Sequence, residues 1–258
     1  MKKILVLAMS FWALSACGKR LPTPPSSQAT GKMAGTEMQL AETAPSPPLP
    51  PMKKRSIKYY PEGTPTRAIQ DLDDMLDSYI LDPKTPEQKQ YNLTLKKTVI
   101  SGTFDIRELC RLALAQHWGE RTTQEQNYFV DLMLNLLEKK AIFSKEQGQQ
   151  KQKSKGAKFL YQLTYEGERF LNPEKTQSLS KTMVHLPSEN LKIELNYKLR
   201  KVGNEWKIYD VIVDGASLLD NYKYQFDKII DKDGYPALVH RMEAKLKELQ
   251  EKDQVINP

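Results

Sequence analysis

LKIELNYKLRKVGNEWKIYDVIVD (Leu191 to Asp214) decides the fold class. Leu191, Ile193, Leu195, Tyr197 and Leu199 alternate with Lys192, Glu194, Asn196, Lys198 and Arg200. Successive side chains of a strand project to opposite faces, so this run has one apolar and one wet face. Gly203-Asn204 is a turn signal, and Trp206 to Asp214 returns as a second strand. A strand wet on one side belongs to an antiparallel sheet. Upstream, Phe159 to Phe170, with Tyr161, Leu163 and Tyr165 on one face, and Thr176 to Leu186 read as two further strands. The expectation is a meander of four strands or slightly more.

Outward from the sheet the apolar period changes to that of a helix. Before it, Ile69, Leu72, Leu76, Tyr79 and Ile80 mark a first helix. A second starts at Thr85-Pro86-Glu87 and sets Tyr91, Leu95 and Val99 on one side. Asp105 and Glu108 form a capping-box-like pair for a third, with Phe104 and Leu109 at staple positions. Thr122-x-x-Glu125 opens a fourth, carrying Phe129, Val130, Leu132, Met133, Leu134, Leu136 and Leu137, which is apolar around much of its girth and should be largely buried. After the sheet, helices are expected at roughly 217–231 and 235–251. Helices packed on an antiparallel sheet make this an α+β domain over residues 66–251, with 252–258 a flexible C-terminus.

The N-terminus has a different character. Lys2 and Lys3 precede an apolar run, Ile4 to Leu14, which is too short to span ~30 Å of hydrocarbon. It ends in Leu14-Ser15-Ala16-Cys17, which resembles the lipobox of bacterial lipoproteins. Residues 1–16 are therefore expected to be a cleaved signal peptide and Cys17 a lipid anchor. From 18 to 65 the chain holds ten of the sixteen prolines and no apolar period, so 17–65 is expected to be a disordered tether. A flexible coil of that length has a root-mean-square reach of ~40 Å. With Cys17 acylated, Cys110 is the one remaining thiol, which rules out an internal disulfide framework. Its neighbours Leu109 and Leu112 argue for a buried small hydrophobe.

The net charge of +7 is concentrated away from the domain: residues 66–258 carry 30 basic and 29 acidic side chains. A nucleic-acid binder concentrates basic charge on its folded part, so nucleic acid is not an expected partner. His117, His185 and His240 stand apart, with no metal-ligand spacing, and no metal is expected. There is no phosphate loop and no nucleophile elbow. Asp210 and Asp214 lie on one strand face and could form an acid–base pair, but strand-end and loop-capping roles suit them better. No catalytic residue and no cofactor are expected. What the chain does hold is adaptable apolar material on faces that should converge, Met133, Met183, Tyr161, Tyr165 and Tyr222 among it. Periodicity is the same for a filled core and for one with room for acyl chains.

Two stretches carry a resemblance. FDIRELCRLALAQHWGERTTQEQNYFVDLMLNLL (Phe104 to Leu137) and WKIYDVIVDGASLLDNYKYQFDKIIDKDGYPALVHRMEAKL (Trp206 to Leu246) resemble the MlaC family, the toluene-tolerance auxiliary components of ABC transporters. The resemblance implies an α+β fold, NTF2-like and cystatin-like in shape, with an apolar cavity between sheet and helices. It implies phospholipid as cargo in the periplasm, an MCE-domain ABC transporter as inner-membrane partner, and a lipoprotein–porin complex at the outer membrane. Family members are soluble, so the lipobox is a departure. Gly18 rather than Asp after the anchor favours the outer membrane. Combined with the apolar periodicity, the resemblance makes Leu109, Phe129, Met133, Leu137, Leu163, Leu195, Tyr197, Tyr209, Val211 and Phe226 the expected lipid-binding pocket. The alternatives are a non-enzymatic binding or scaffolding module of NTF2-like shape with a filled core, and an enzyme built around Asp210.

Overall fold

The computed structural model describes residues 58–80, 83–140, 162–186 and 190–256. The signal peptide, Cys17, most of the proline-rich segment and Tyr161 lie outside them. The described chain runs α1 (Pro65–Asp77), α2 (Pro86–Thr103), α3 (Ile106–Leu114), a short 3₁₀ turn (Ala115–Trp118), α4 (Thr123–Lys140), β1 (Gln162–Phe170), β2 (Gln177–Leu186), β3 (Leu191–Val202), β4 (Glu205–Val213), β5 (Ala216–Ser217), α5 (Leu218–Asp233) and α6 (Tyr235–Ile256). The strands form one antiparallel sheet in the order β1-β2-β3-β4-β5. The fold is α+β, as expected. The fifth strand is two residues long, below the length at which alternation can be seen.

Helix starts follow the capping chemistry. The Thr85 hydroxyl accepts from Gln88 N while the Gln88 side chain accepts from Thr85 N, a complete capping box. The Asp105 carboxylate accepts from Glu108 N at 2.9 Å. Thr122 and Glu125 exchange bonds of 2.8 and 3.2 Å. Asn92 is buried, its side chain bonded to both Ile80 N and Ile80 O, and so holds the α1–α2 connection against α2.

Three boundaries differ from the sequence reading. Structure begins before residue 66: Tyr60 N donates to Gln70 Oε1 at 2.7 Å, and the Trp206 indole donates to Gly63 O at 2.9 Å. Proline-rich composition hid these tertiary partners. α1 ends at Asp77, so Tyr79 and Ile80 follow the helix, and α6 continues to Ile256, past the 251 boundary. On α2, Tyr91 is exposed and Val99 buried, so only the C-terminal part of the expected face is covered. On α4, Phe129, Leu132, Met133, Leu136 and Leu137 are buried, whereas Val130 and Leu134 are half-buried: the helix is wrapped on about two sides.

The edge of β4 is covered at both ends. β5 pairs with Ile212 and Val213, while Phe104 bridges to Ile208 and Asp105 N donates to Ile208 O at 2.7 Å. An edge occupied in this way offers no ladder to another chain.

Candidate functional site

Register places Leu163, Val184 and Ile193 in one cross-strand row, and Tyr165, Thr182, Leu195 and Val213 in the next. Glu168, Ser180, Tyr197 and Val211 make a third row, and Phe170, Ser178, Leu199 and Ile208 a fourth. Residues directly opposite on paired strands share a face, so all four rows look the same way. That way is toward α1: the Tyr165 hydroxyl donates to Asp73 at 2.6 Å and Thr66 N donates to Glu168 at 2.8 Å. α1 packs on β1, β2 and β4, and α2 on β4.

β2 is inverted relative to its amphipathic pattern. Its covered face is Ser178, Ser180, Thr182 and Val184, all buried, while Leu179 and Met183 stand half-buried on the other side. Small hydroxyl side chains thus occupy the middle of the sheet where large apolar ones are the rule. Thr182 spends its hydroxyl on the Leu195 carbonyl and Ser178 on the Arg169 carbonyl. The hydroxyls of Ser180 on β2 and of Thr66 at the start of α1 are buried without a hydrogen-bond partner. Sequence reasoning missed these residues. The available signal was the Ser-x-Ser-x-Thr alternation at 178–182 in a strand whose neighbours are apolar.

The ten expected pocket residues divide into two groups. Leu109 on α3, Phe129, Met133 and Leu137 on α4, and Phe226 on α5 lie in a helical cluster of α3 to α6, each at most 2 % exposed. There Phe129 meets Phe226 edge-to-face at 5.7 Å and Tyr235 at 6.1 Å, and Phe226 stacks on Tyr222 at 5.6 Å. Leu195, Tyr197 and Val211 are buried on the α1-facing side of the sheet, with Leu163 half-buried on edge strand β1. Tyr209 belongs with neither. It is the extra residue of a bulge between the Lys198–Asp210 and Leu199–Ile208 pairs. Its charged neighbours are Lys198, Asp210 and Glu108, on the side turned away from α1; burial raises its pKa.

The titratable groups behave structurally. Asp210, 1 % exposed, accepts from Ser217 Oγ, Leu219 N and Lys198 Nζ at 2.8, 3.0 and 3.0 Å, so it secures the start of α5. Burial works against the Lys198 ammonium, and the bond and charge of Asp210 together outweigh it, raising its pKa. Asp214, at positive φ, accepts from Glu194 N across the chain reversal. The two carboxylates serve as cap and turn former, as expected, and make no acid–base pair. Cys110 is fully buried, and desolvation pushes its thiol pKa well up, away from reactivity. His117 Nε2 lies 2.9 Å from Asp227 and joins the 3₁₀ turn to α5. With Asp231 these form the group of possible metal ligands among the described residues, their ligating atoms within 4.8 Å of one another. No helix of the described residues is long and apolar enough to cross a membrane.

The model of the family described as MlaC protein matches residues 70–244, more than half of the chain. The chain belongs to the MlaC family. No curated protein matches. A solved structure of a phospholipid-binding protein from Ralstonia solanacearum, in complex with a phospholipid, is similar to this MlaC chain at 20 % identity and a TM-score of 0.54, covering 71 % of this chain and 97 % of that one. At that identity the likeness bears on the fold. It places the six helices and the antiparallel sheet of this MlaC protein in a known arrangement.

Proposed function

We propose that this MlaC protein binds and transfers phospholipid, with acyl chains held between the sheet and α1–α2. The observation that carries the proposal is the inverted strand β2. Ser178, Ser180 and Thr182 keep the centre of the covered face small, and two hydroxyls there lack protein partners. The apolar residues Leu195, Tyr197 and Val211 beside them, and Ile69, Val99 and Ile100 on the covering helices, supply hydrocarbon contact. Family membership and the phospholipid in the similar structure support the same reading. Two sixteen-carbon chains hold about 28 methylenes, worth ~20 kcal/mol of burial at ~0.8 each. A bilayer provides the same burial, so a carrier needs only a comparable apolar face and no reactive group. An enzymatic role has no support in the arrangement of Asp210.

In this proposal Cys17 carries the lipid anchor, the proline-rich segment is a tether, and the domain works in the periplasm, outer membrane favoured. An MCE-domain ABC transporter and an outer-membrane lipoprotein–porin complex would exchange lipid with it. The close aromatic packing of Phe129, Phe226 and Tyr222 favours a filled core for the helical cluster, so the cluster stabilises the domain and is not part of the cargo site. Native mass spectrometry of the protein purified gently from bacterial membranes tests the proposal. One phospholipid per chain is expected, and a ligand-free protein would leave a filled-core scaffolding module as the reading.

A further inference from the structure

The chain brings an imidazole and two carboxylates together where the 3₁₀ turn meets α5. α3 ends at Ala115, and the turn that follows sets His117, 8 % exposed, against α5. His117 Nε2 lies 2.9 Å from Asp227 Oδ1, and Asp231 is one helical turn further along α5. The ligating atoms of His117, Asp227 and Asp231 all lie within 4.8 Å of one another. Behind them stand two supports. Glu120 Oε2 is 3.8 Å from the other imidazole nitrogen, Nδ1, and the Gln116 amide donates to Asp227 Oδ1 at 3.1 Å. A carboxylate behind the histidine and a hydrogen bond to the ligating carboxylate are the outer partners that metal ligands take.

A hydrogen bond between His117 and Asp227 does not account for Asp231. Its side chain is exposed and has no hydrogen bond or ion pair among the described residues. Like charges four residues apart on a helix repel. Asp231 also lies in the last turn of α5, where the helix dipole favours cations over carboxylates. The lysines of the same helix, Lys223, Lys228 and Lys232, make no ion pair with either carboxylate among the described residues. A bound dication reverses both costs. We infer that His117, Asp227 and Asp231 bind a divalent transition metal, with zinc the best match. One imidazole nitrogen and two carboxylate oxygens suit zinc and its neighbours, whereas magnesium and calcium take oxygen donors. Zinc holds such ligands at about 2.0–2.2 Å, so their atoms stand roughly 3.4 Å apart, which a rotation of the exposed Asp231 side chain achieves. A fourth position is left to water, as in zinc sites with three protein ligands. The ion would pin the 3₁₀ turn to α5 and so stiffen the helical cluster.

Calorimetric titration tests it with the full mature-length chain carrying Cys17→Ser, stripped with a chelator and desalted, so that no acyl group or exposed thiol contributes. Zinc chloride should bind at one site per chain with a low-micromolar Kd, and magnesium chloride at the same concentration should not bind. Zinc at about 100 times its Kd should raise Tm by at least about 4 °C. Asp231→Asn removes an exposed ligand, so it should not lower the Tm of the metal-free protein, yet it should weaken zinc binding at least about tenfold. His117→Gln should abolish the site; because it also removes a buried bond, Asp231→Asn decides the matter if that variant fails to fold. Equal zinc binding by the parent and Asp231→Asn would assign the metal to other groups and overturn the inference. No zinc binding by the parent would overturn it too, leaving His117 and Asp227 as a structural hydrogen bond. Magnesium bound as tightly as zinc would overturn the assignment to a transition metal.

Discussion

The helical cluster of α3 to α6 and the sheet face beneath α1–α2 bury comparable residues with opposite chemistry. In the cluster Phe129, Phe226, Tyr222 and Tyr235 pack ring on ring, with Met133, Leu137 and Cys110 buried on α3 and α4, and the Tyr235 hydroxyl is buried without a hydrogen-bond partner. Under α1 the sheet sets small hydroxyl side chains among Leu195, Tyr197 and Val211, and Thr66, Gln70 and Ser180 bring polar atoms into the interior. Unsatisfied buried hydroxyls lower stability. Partnerless hydroxyls occur in both layers, at Ser180 and Thr66 and at Tyr235, so the layers differ in side-chain size: the proposed function gives stability to the ring-packed cluster and the ligand to the sheet face set with small residues.

That division can be broken most sharply at Phe129. Phe129→Ala should cost ~3–5 kcal/mol, the usual penalty for truncating a fully buried aromatic. Denaturant titration would measure it, and phospholipid per folded molecule should stay at the parent level. If lipid is lost while the domain remains folded, the cluster is part of the site and the division is wrong. Asp210→Ala comes next, at about 2–4 kcal/mol, because it strips the cap of α5 and leaves the Lys198 charge unpaired beside a buried position. Again lipid should remain.

On the other layer, Ser180→Leu should exchange the effects. It adds bulk to the covered face at ~1–3 kcal/mol of strain in the lipid-free protein, and lipid content by mass spectrometry should fall at least fivefold. Unchanged lipid would move the cargo elsewhere. Ser180→Ala, which removes a partnerless hydroxyl, should raise stability by about 1 kcal/mol. The smallest effect concerns pH. The Arg111 guanidinium bonded to Glu108 holds the Glu108 carboxyl below its ordinary 4.5. A depressed carboxyl stabilises above its unfolded pKa, and that stability is lost as pH falls through the lower folded value. Glu108→Gln should therefore cost less than about 1 kcal/mol at pH 7, and the difference should shrink as pH falls below 4.5, by thermal unfolding.

Most of the fold was legible because it rests on local rules. Alternation identified β3 and β4, and Thr85, Asp105 and Thr122 marked helix starts that the structure places at these positions. The candidate site was legible only in part. Apolar periodicity marked Leu195, Tyr197, Val211, Phe129 and Phe226 alike for burial, which the structure shows, but it could not tell that they lie in two different layers. It also misplaced Met183, because a strand with serines inside and methionine outside reads as though its faces were exchanged. The place of Tyr209 was illegible for a related reason: a one-residue bulge turns every later position over, and no local pattern announces it.

The sequence by itself determined the α+β class, the order of the elements, the helix caps and the family, since each depends on neighbours a few residues away or on motifs that survive as strings. Tertiary structure decided which apolar residues meet one another, which hydroxyls are left without partners, and where the turn before α1 meets β4. Those depend on strand register and on segments docking from more than a hundred residues away, as the turn at Gly63 does with Trp206. Burial is a property of the assembled layers, and a side chain carries no local mark of the layer it will join.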